Sequence, residues 1–328
     1  MQSSSELFPV ALTSAEFCGD LSEDVYRLKP ANSPDSSVEL AVTRLGLAQH
    51  SVDAPRGVPV VLLHGSFSNR RFWYSPRGIG LGAHLARLGF DVWIAEMRGH
   101  GLSQRNQGWK YNRVADYARY DLPAIGAFVA EQSGQVPHWI GHSLGGTTLA
   151  AALGGGYMGA SLVASAALFG SQVSRTRWPL RIPPVEWLGR FLLKRLSAIS
   201  GQRLKRGPED EPIGIALESL RWQGLFGHFG VGKEDWWAGL KTVEVPILAA
   251  AGVADEQDPV GACRALFEQF ASPVRRFVEL GRVQGLSVDY GHVNMLVSKE
   301  AQQDVWPLVV GWLNECAEGS DIDAQSVA

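Results

Sequence analysis

Pro137-His138-Trp139-Ile140-Gly141-His142-Ser143-Leu144-Gly145-Gly146-Thr147-Thr148-Leu149-Ala150-Ala151-Ala152-Leu153 is the stretch on which the reading of this chain turns. An apolar run ends in a glycine-rich turn, and an alanine-rich helical pattern, Leu144–Leu153, follows at once. Gly141 to Gly145 fit G-x-S-x-G, in which a serine stands on a sharp strand-to-helix turn. Such a turn holds the serine in a strained backbone region and leaves no room for side chains two positions to either side, hence the glycines. It also sets Ser143 at a helix N-terminus, where unpaired N–H groups and the helix dipole favour developing negative charge. The bland alternative is a glycine-rich turn with an N-capping serine. The strand before it and the helix after it favour an exposed nucleophile.

A serine hydroxyl needs a base to take its proton. The chain has eight histidines. His142 is adjacent to Ser143 and is expected to point away along the strand, while His50, His84, His138 and His228 have no catalytic context. His292 lies in Tyr290-Gly291-His292-Val293-Asn294, a loop before the last amphipathic helix, where a mobile imidazole can reach the turn. A base in turn needs a carboxylate to orient it. In Val245–Pro259 (VPILAAAGVADEQDP) a strand ends at Ala251, Gly252 turns the chain, and Asp255 follows at the strand's carboxyl end. Asp258 and Asp289 are the competing candidates. Asp258 precedes Pro259 and suits a helix start, and Asp289 suits a loop contact. Donors for an oxyanion are expected from the backbone N–H of Leu144 and from the loop Leu62-Leu63-His64-Gly65-Ser66-Phe67, through Ser66 or, less readily, Phe67.

The surrounding chain repeats one rhythm: a short apolar run, a glycine-bearing turn, a helical pattern. Val58–His64, Asp91–Glu96, Pro137–His142, Ser161–Gly170 and Glu244–Ala251 read as strands covered on both faces. Helical patterns cover Asn112–Ser133, Leu144–Leu153, Pro259–Phe270 and Lys299–Leu313. This alternation predicts an α/β fold, a mostly parallel sheet with helices on both faces. Val38–Leu47 alternates apolar and polar residues and suits antiparallel edge strands. From Ser171 to Leu240 the rhythm breaks: Pro179, Pro183, Pro184 and five tryptophans (Trp178, Trp187, Trp222, Trp236, Trp237) occur without a strand-like run. The predicted organisation is a discontinuous core, 1–170 and 241–328, with a helical cap over 171–240.

Bulk properties exclude several function classes. The chain has 328 residues, 45% hydrophobic and 19% charged, enough for a large core. A net charge of −3 gives no global basic field for nucleic acid. Cys18, Cys263 and Cys316 are far apart and lack metal-ligand or CxxC spacing, so neither a zinc site nor a disulfide framework is expected, and a reducing, cytoplasmic setting fits. The N-terminus lacks the basic leader and apolar core of a secretory signal. No apolar stretch reaches the ~20 residues needed to cross a bilayer.

Five motifs stand in one order from Val58 to Leu313: His64-Gly65, Arg98-Gly99-His100-Gly101-Leu102-Ser103, the Gly141–Gly146 turn, Gly252-x-x-Asp255-x-x-x-Pro259, and Gly291-His292. Together they resemble the α/β-hydrolase fold family, and the order Ser, Asp, His is that family's triad order. Tyr120-Asp121-Leu122-Pro123-Ala124 looks like the acid-lipase branch. The resemblance implies an eight-stranded sheet with a lid after the sixth strand, a Ser143–His292–Asp255 triad, an oxyanion hole from Ser66 and Leu144, and no cofactor. Serine at the turn argues against the branches that use an aspartate or cysteine nucleophile. The expected activity is cleavage of carboxylic esters, esterase- or lipase-like. Acyl transfer on the same triad, and a non-catalytic ligand-binding member of the fold, are the rival readings.

Within the cap, Pro183–Ser200 places Val185, Leu188, Leu192, Leu196 and Ile199 on one helical stripe beside Trp187 and Phe191. Between Arg175 and Arg206 nine basic residues (Arg175, Arg177, Arg181, Arg190, Lys194, Arg195, Arg203, Lys205, Arg206) face one acidic residue, Glu186. Two readings follow: an apolar stripe packed over the core mouth with solvated arginines around it, or a lid that touches anionic lipid and admits an apolar acyl chain.

Overall fold

Runs of Val, Leu, Ile and Ala without polar interruption pack only where both faces of a strand are covered, and this chain uses them for the centre of its sheet. The structure is a computed structural model that describes residues 3–48, 56–174, 179 and 182–326. In chain order the elements are β1 (Val10–Cys18), β2 (Leu21–Leu28), β3 (Leu40–Leu47), β4 (Pro59–Leu63), α1 (Leu81–Arg87), β5 (Asp91–Glu96) and α2 (Val114–Asp116). A π-helical turn, Tyr117–Asp121, joins α2 to α3 (Leu122–Ser133). Then come β6 (His138–His142), α4 (Leu144–Gly154) and β7 (Ser165–Phe169).

The chain leaves the main sheet after β7. It forms α5 (Pro183–Leu193), β8 (Ala198–Ser200), β9 (Asp210–Pro212), α6 (Ile213–Gln223), β10 (Gly230–Val231), β11 (Glu234–Asp235) and α7 (Trp236–Gly239). It returns through β12 (Ile247–Gly252), α8 (Val260–Phe267), β13 (Arg275–Leu280), α9 (Asn294–Val297), α10 (Lys299–Asp304) and α11 (Trp306–Ser326).

The main sheet runs β1-β2-β3-β5-β4-β6-β7-β12-β13. β1, β2, β3 and β5 pair antiparallel in sequence, whereas every pair from β5 through β4, β6, β7 and β12 to β13 is parallel. β4, β5, β6, β7 and β12 are buried along their whole length, as their composition predicts. Two apolar layers flank the sheet. One joins Trp93, Phe128, Trp139, Leu149 and Phe270; the other joins Leu62, Leu85, Ile94, Met295 and Trp312. Helices α3 and α4 thus cover one face and α1, α9, α10 and α11 the other.

The expected strand count needs correction. Among the described residues the sheet has nine strands, not eight, and the intervening segment follows the seventh strand of the chain. The added member is the edge strand β1, which is broken by an irregularity between Leu12 and Ser14 and exposes most of its length, so it carries no clean alternation. The segment from 182 to 240 is also not purely helical, since β8 pairs with β9 and β10 with β11. Arg175, Arg177, Trp178 and Arg181, and with them part of the basic run, lie outside the described residues, as does His50.

Parallel strands fed by helices bring the carboxyl ends of β4, β5, β6, β7 and β12 to one edge of the sheet. The candidate residues sit there.

Candidate active site

Ser143 stands between β6 and α4 with φ 53 and ψ −119, the left-handed half of backbone space that a side chain rarely occupies. The surroundings permit nothing else. A Cβ on Gly141 would lie 2.5 Å from the nitrogen of Gly146, and one on Gly145 would lie 2.6 Å from the carbonyl oxygen of Leu63 at the end of β4. Helix α4 therefore starts in direct contact with two strand ends. Ser143 is held by its own N–H, which donates to Phe169 O at 2.8 Å, and by Ser171 Oγ, which donates to Ser143 O at 3.0 Å. Strain of this kind costs ~1–3 kcal/mol and persists only where neighbours over-determine it.

His292 reaches the same edge from the loop before α9. Its Nδ1 lies 2.7 Å from Asp255 Oδ2 and 3.8 Å from Asp258 Oδ2. Asp255 is buried, and its other oxygen accepts from the backbone N–H groups of Gln257 and Asp258, both at 2.9 Å, so its carboxylate is fixed by the turn it belongs to. Gly170, at φ 53, presses against this pair: a Cβ there would lie 3.2 Å from His292 Nδ1 and 3.3 Å from Asp255 Oδ2. Asp289 is elsewhere. It accepts from Arg282 N at 2.9 Å and closes its own loop.

Asp258 has a different environment. Gln172 Nε2 donates to its Oδ1 at 2.9 Å, and Ser143 Oγ donates to its Oδ2 at 3.5 Å. Burial pushes its pKa above the ordinary carboxylate value, with the nearby His292 opposing. Ser143 thus rests on Asp258 in this structure and makes no hydrogen bond to His292.

His142 does not point idly away. Its ring stacks on Phe72 with centroids 4.5 Å apart and packs against the His292 ring at 4.7 Å. His142 Nε2 donates to the backbone carbonyl of His292 at 2.8 Å, which fixes the loop that carries it. Burial, and then the neighbouring His292, hold the His142 pKa down to about 3, so the ring is neutral.

The loop after β4 closes the edge. A Cβ on Gly65 would lie 3.0 Å from Ser143 Cβ, so this backbone passes against the serine. Phe67 has φ 60, and its N–H is taken by Glu211 Oε1 at 2.6 Å. The next loop, after β5, is tied down by buried charge. Arg98 Nε donates to Asp121 Oδ1 and Oδ2 in the π turn at 3.0 and 2.9 Å, and Glu96 accepts from Arg70 N and Leu102 N at 2.9 Å each. Arg98 and Asp121, singled out by motif, are therefore a buried scaffold pair and touch neither Ser143 nor His292.

A family model described as the alpha/beta hydrolase family matches residues 60–302. The chain belongs to that family. Among curated relatives, it is 36% identical over 119 residues to lipase member N of Mus musculus, a match covering 33% of this chain and 30% of the relative. It is 33% identical over 112 residues to the lysosomal acid lipase/cholesteryl ester hydrolase of Homo sapiens, covering 31% and 28%. The matched part spans less than a third of either relative. Solved structures align over far more of the chain. A thermophilic esterase from Thermogutta terrifontis superposes with a TM-score of 0.58 at 19% identity, over 88% of this chain and 98% of that one. The structure of DcsB in complex with its substrate analogue gives 0.66 at 16%, over 89% and 99%. At these identities the likeness is one of fold.

The residues singled out from the sequence, Ser143, Asp255, His292, Ser66 and Leu144, lie together at one sheet edge. Pattern did not expose His142, Gln172 or Glu211. Their partners lie far off in sequence, and only Asp258 carried a local signal, its place beside Asp255. A cavity of about 430 Å³ lined by Arg98, Asn112, Glu218 and Arg221 lies apart from these residues, and none of the candidates lines it.

Proposed function

We propose that this protein is a serine hydrolase that cleaves carboxylic esters through an acyl-enzyme. The observation that carries the reading is the 2.7 Å bond from His292 Nδ1 to Asp255 beside a serine held at positive φ. With Nδ1 committed to Asp255, Nε2 is the nitrogen left to act as base. A turn about the Ser143 Cα–Cβ bond moves Oγ from Asp258 to that nitrogen, as such contacts often tighten only with substrate bound. Oγ attacks the ester carbonyl carbon and its proton passes to His292. The tetrahedral oxyanion takes hydrogen bonds from the N–H groups of Leu144 and Ser66, and the imidazolium gives its proton to the departing alcohol. Water then attacks the acyl-serine while His292 accepts its proton, and the second tetrahedral intermediate collapses to release the acid as the imidazolium returns that proton to Ser143 Oγ. No metal or cofactor enters this scheme. The lipase and esterase names of the relatives support an ester as the substrate.

We read residues 171–240 as a lid domain on a core of 1–170 and 241–328. Its α5 buries only Glu186, and Val185, Trp187, Leu188, Phe191, Leu192 and Leu196 are exposed. The stripe is thus not packed over the core, contrary to the blander sequence reading. Bare apolar side chains with Lys194 at the end of the helix and Arg195 over the Phe191 ring favour a medium or long acyl group and peripheral contact with an anionic lipid surface. We place the protein in the cytoplasm on its cysteine usage: Cys18, Cys263 and Cys316 are few and far apart in sequence. Among the described residues no helix is long and apolar enough to cross a membrane.

The test is steady-state turnover of p-nitrophenyl esters from acetate to palmitate. The expected result is hydrolysis that rises beyond the shortest chains and falls by on the order of 10⁴–10⁶ in Ser143→Ala. No turnover of any chain length by folded protein, or full activity in Ser143→Ala, would overturn the reading. Activity confined to acetate would remove only the acyl-chain preference.

A further inference from the structure

Phe67 is a bulky aromatic residue in the left-handed region, next to the residue assigned as an oxyanion donor. Its neighbours hold it there, and most come from one short piece of the segment between β7 and β12. Glu209 N donates to Phe67 O at 3.1 Å, and Glu209 Oε1 accepts from Asn69 Nδ2 at 2.6 Å. Gly207 lies against the Phe67 carbonyl, and a Cβ on Gly201 would lie 3.0 Å from Phe67 Cβ. The remaining contact is the carboxylate of Glu211, which is 3% exposed and sends Oε1 to the Phe67 N–H at 2.6 Å.

The same oxygen lies 3.2 Å from His100 Nε2. His100 Nδ1 faces the carbonyl of Arg98 at 3.3 Å, so both ring nitrogens look at acceptors, an arrangement that suits the imidazolium. Burial works against charge on His100, and the Glu211 carboxylate outweighs it, so the imidazole's pKa lies above its ordinary value. This buried imidazole–carboxylate contact lies beside the loop from which an oxyanion donor is drawn. The His100 ring also packs on that of His64, 5.2 Å between centroids. His64 fixes the other side of Ser66: its Nδ1 donates to Gly65 O at 2.9 Å, and its Nε2 accepts from Met97 N at 3.2 Å. Ser66 is bracketed, with Gly65 O and Phe67 N both engaged.

We infer that Glu211 is a positioning residue for the oxyanion loop. Paired with His100, it occupies the Phe67 N–H and holds Phe67 in its strained turn, so that Ser66 N–H is left as the loop's donor to the oxyanion. The inference rests on the hydrolase reading above. It makes the segment between β7 and β12 part of the machinery that shapes the site, in addition to covering it.

The experiment compares three variants with wild type. Glu211→Met keeps the length and removes the acceptor. Glu211→Gln keeps an oxygen for the Phe67 N–H. His100→Leu with Glu211→Met removes both buried charges, so that folding is not endangered by an unpaired one. Each is measured for kcat and KM on one ester, and for inhibition by a trifluoromethyl ketone, whose adduct with serine bears the oxyanion. Glu211→Met and the double variant should lose roughly 10²-fold in kcat, with KM within about threefold and the ketone weakened in parallel. Glu211→Gln should recover to within about fivefold of wild type. Either Met-bearing variant, folded by near-ultraviolet circular dichroism, with wild-type kcat and ketone affinity would overturn the inference while leaving the hydrolase reading intact. Wild-type protein that neither turned over an ester nor bound the ketone would overturn the hydrolase reading, and this inference with it.

Discussion

Asp255 and Asp258 face the same imidazole from one turn, and the distances separate them. Asp255 makes the 2.7 Å bond and is clamped by two backbone N–H groups, whereas Asp258 stands 3.8 Å away and is engaged by Gln172 and Ser143. Asp255→Asn should therefore cost about 10³–10⁴ in kcat, because the amide no longer holds the imidazole in its productive tautomer. Asp258→Asn should cost less than about tenfold in kcat/KM, since it removes a resting contact of the hydroxyl and leaves the Asp255 bond in place. Steady-state kinetics on a single ester checks both, and equal losses would contradict the assignment. Sequence alone could rank these residues only by position, because strand-end placement cannot tell which carboxyl a loop histidine will meet. Ser143 is easier to read, because it lies in a glycine pattern that the backbone geometry demands, while His292 is marked by its place in a glycine-preceded loop before the last helices. His142 was harder: strand alternation does turn it from the serine, but only the folded loop shows that it then holds the His292 carbonyl.

At the scale of elements, what was legible was what is buried on both sides. β4, β5, β6, β7 and β12 announce themselves as unbroken apolar runs, whereas β1 and β13 are edge strands with exposed positions and give little pattern. The π turn before α3 was also hidden, although it is what carries Asp121 to Arg98. Removing one partner of that buried pair leaves an uncompensated charge. Asp121→Ala should lower unfolding free energy by about 3–5 kcal/mol in urea titrations, and the added change Arg98→Met should recover much of the loss. The contact of α6 with α2 has a pH signature. Glu218 is buried on α6, accepts from Ala115 N at 3.3 Å, and is pushed by burial from its ordinary 4.5 to about 7. The folded state therefore keeps a proton that the unfolded chain releases. The associated stability is present below pH 4.5 and is lost as pH rises through about 7, on the order of 3 kcal/mol in all. Glu218→Gln should flatten that part of the pH–stability curve, and an unchanged slope between pH 5 and 8 would show that the group is not protonated as described.

For the whole molecule, the segment between β7 and β12 carries a helix, α5, that is apolar on its solvent side. A single exposed leucine means little, but α5 buries its one glutamate and exposes Trp187, Leu188, Phe191 and Leu192 together, and contiguous apolar patches of this kind mark interaction sites. Vesicles with phosphatidylglycerol should sediment the protein and shift its tryptophan emission to the blue. Phosphatidylcholine alone should do less, and Trp187→Ala with Phe191→Ala should abolish the effect. Binding that ignored both lipid charge and these two residues would assign the surface to another partner. The sequence gives the charges of this segment but not which way α5 faces, because an amphipathic stripe is the same pattern whether it turns inward or outward. The hydrolase reading depends on Ser143 being an activated nucleophile, and reaction with a fluorophosphonate followed by mass mapping of the labelled peptide tests that most directly. The expected result is a single adduct on Ser143, absent in Ser143→Ala and strongly slowed in His292→Ala. Folded protein that takes up no label, or that carries it on another residue, would contradict the account.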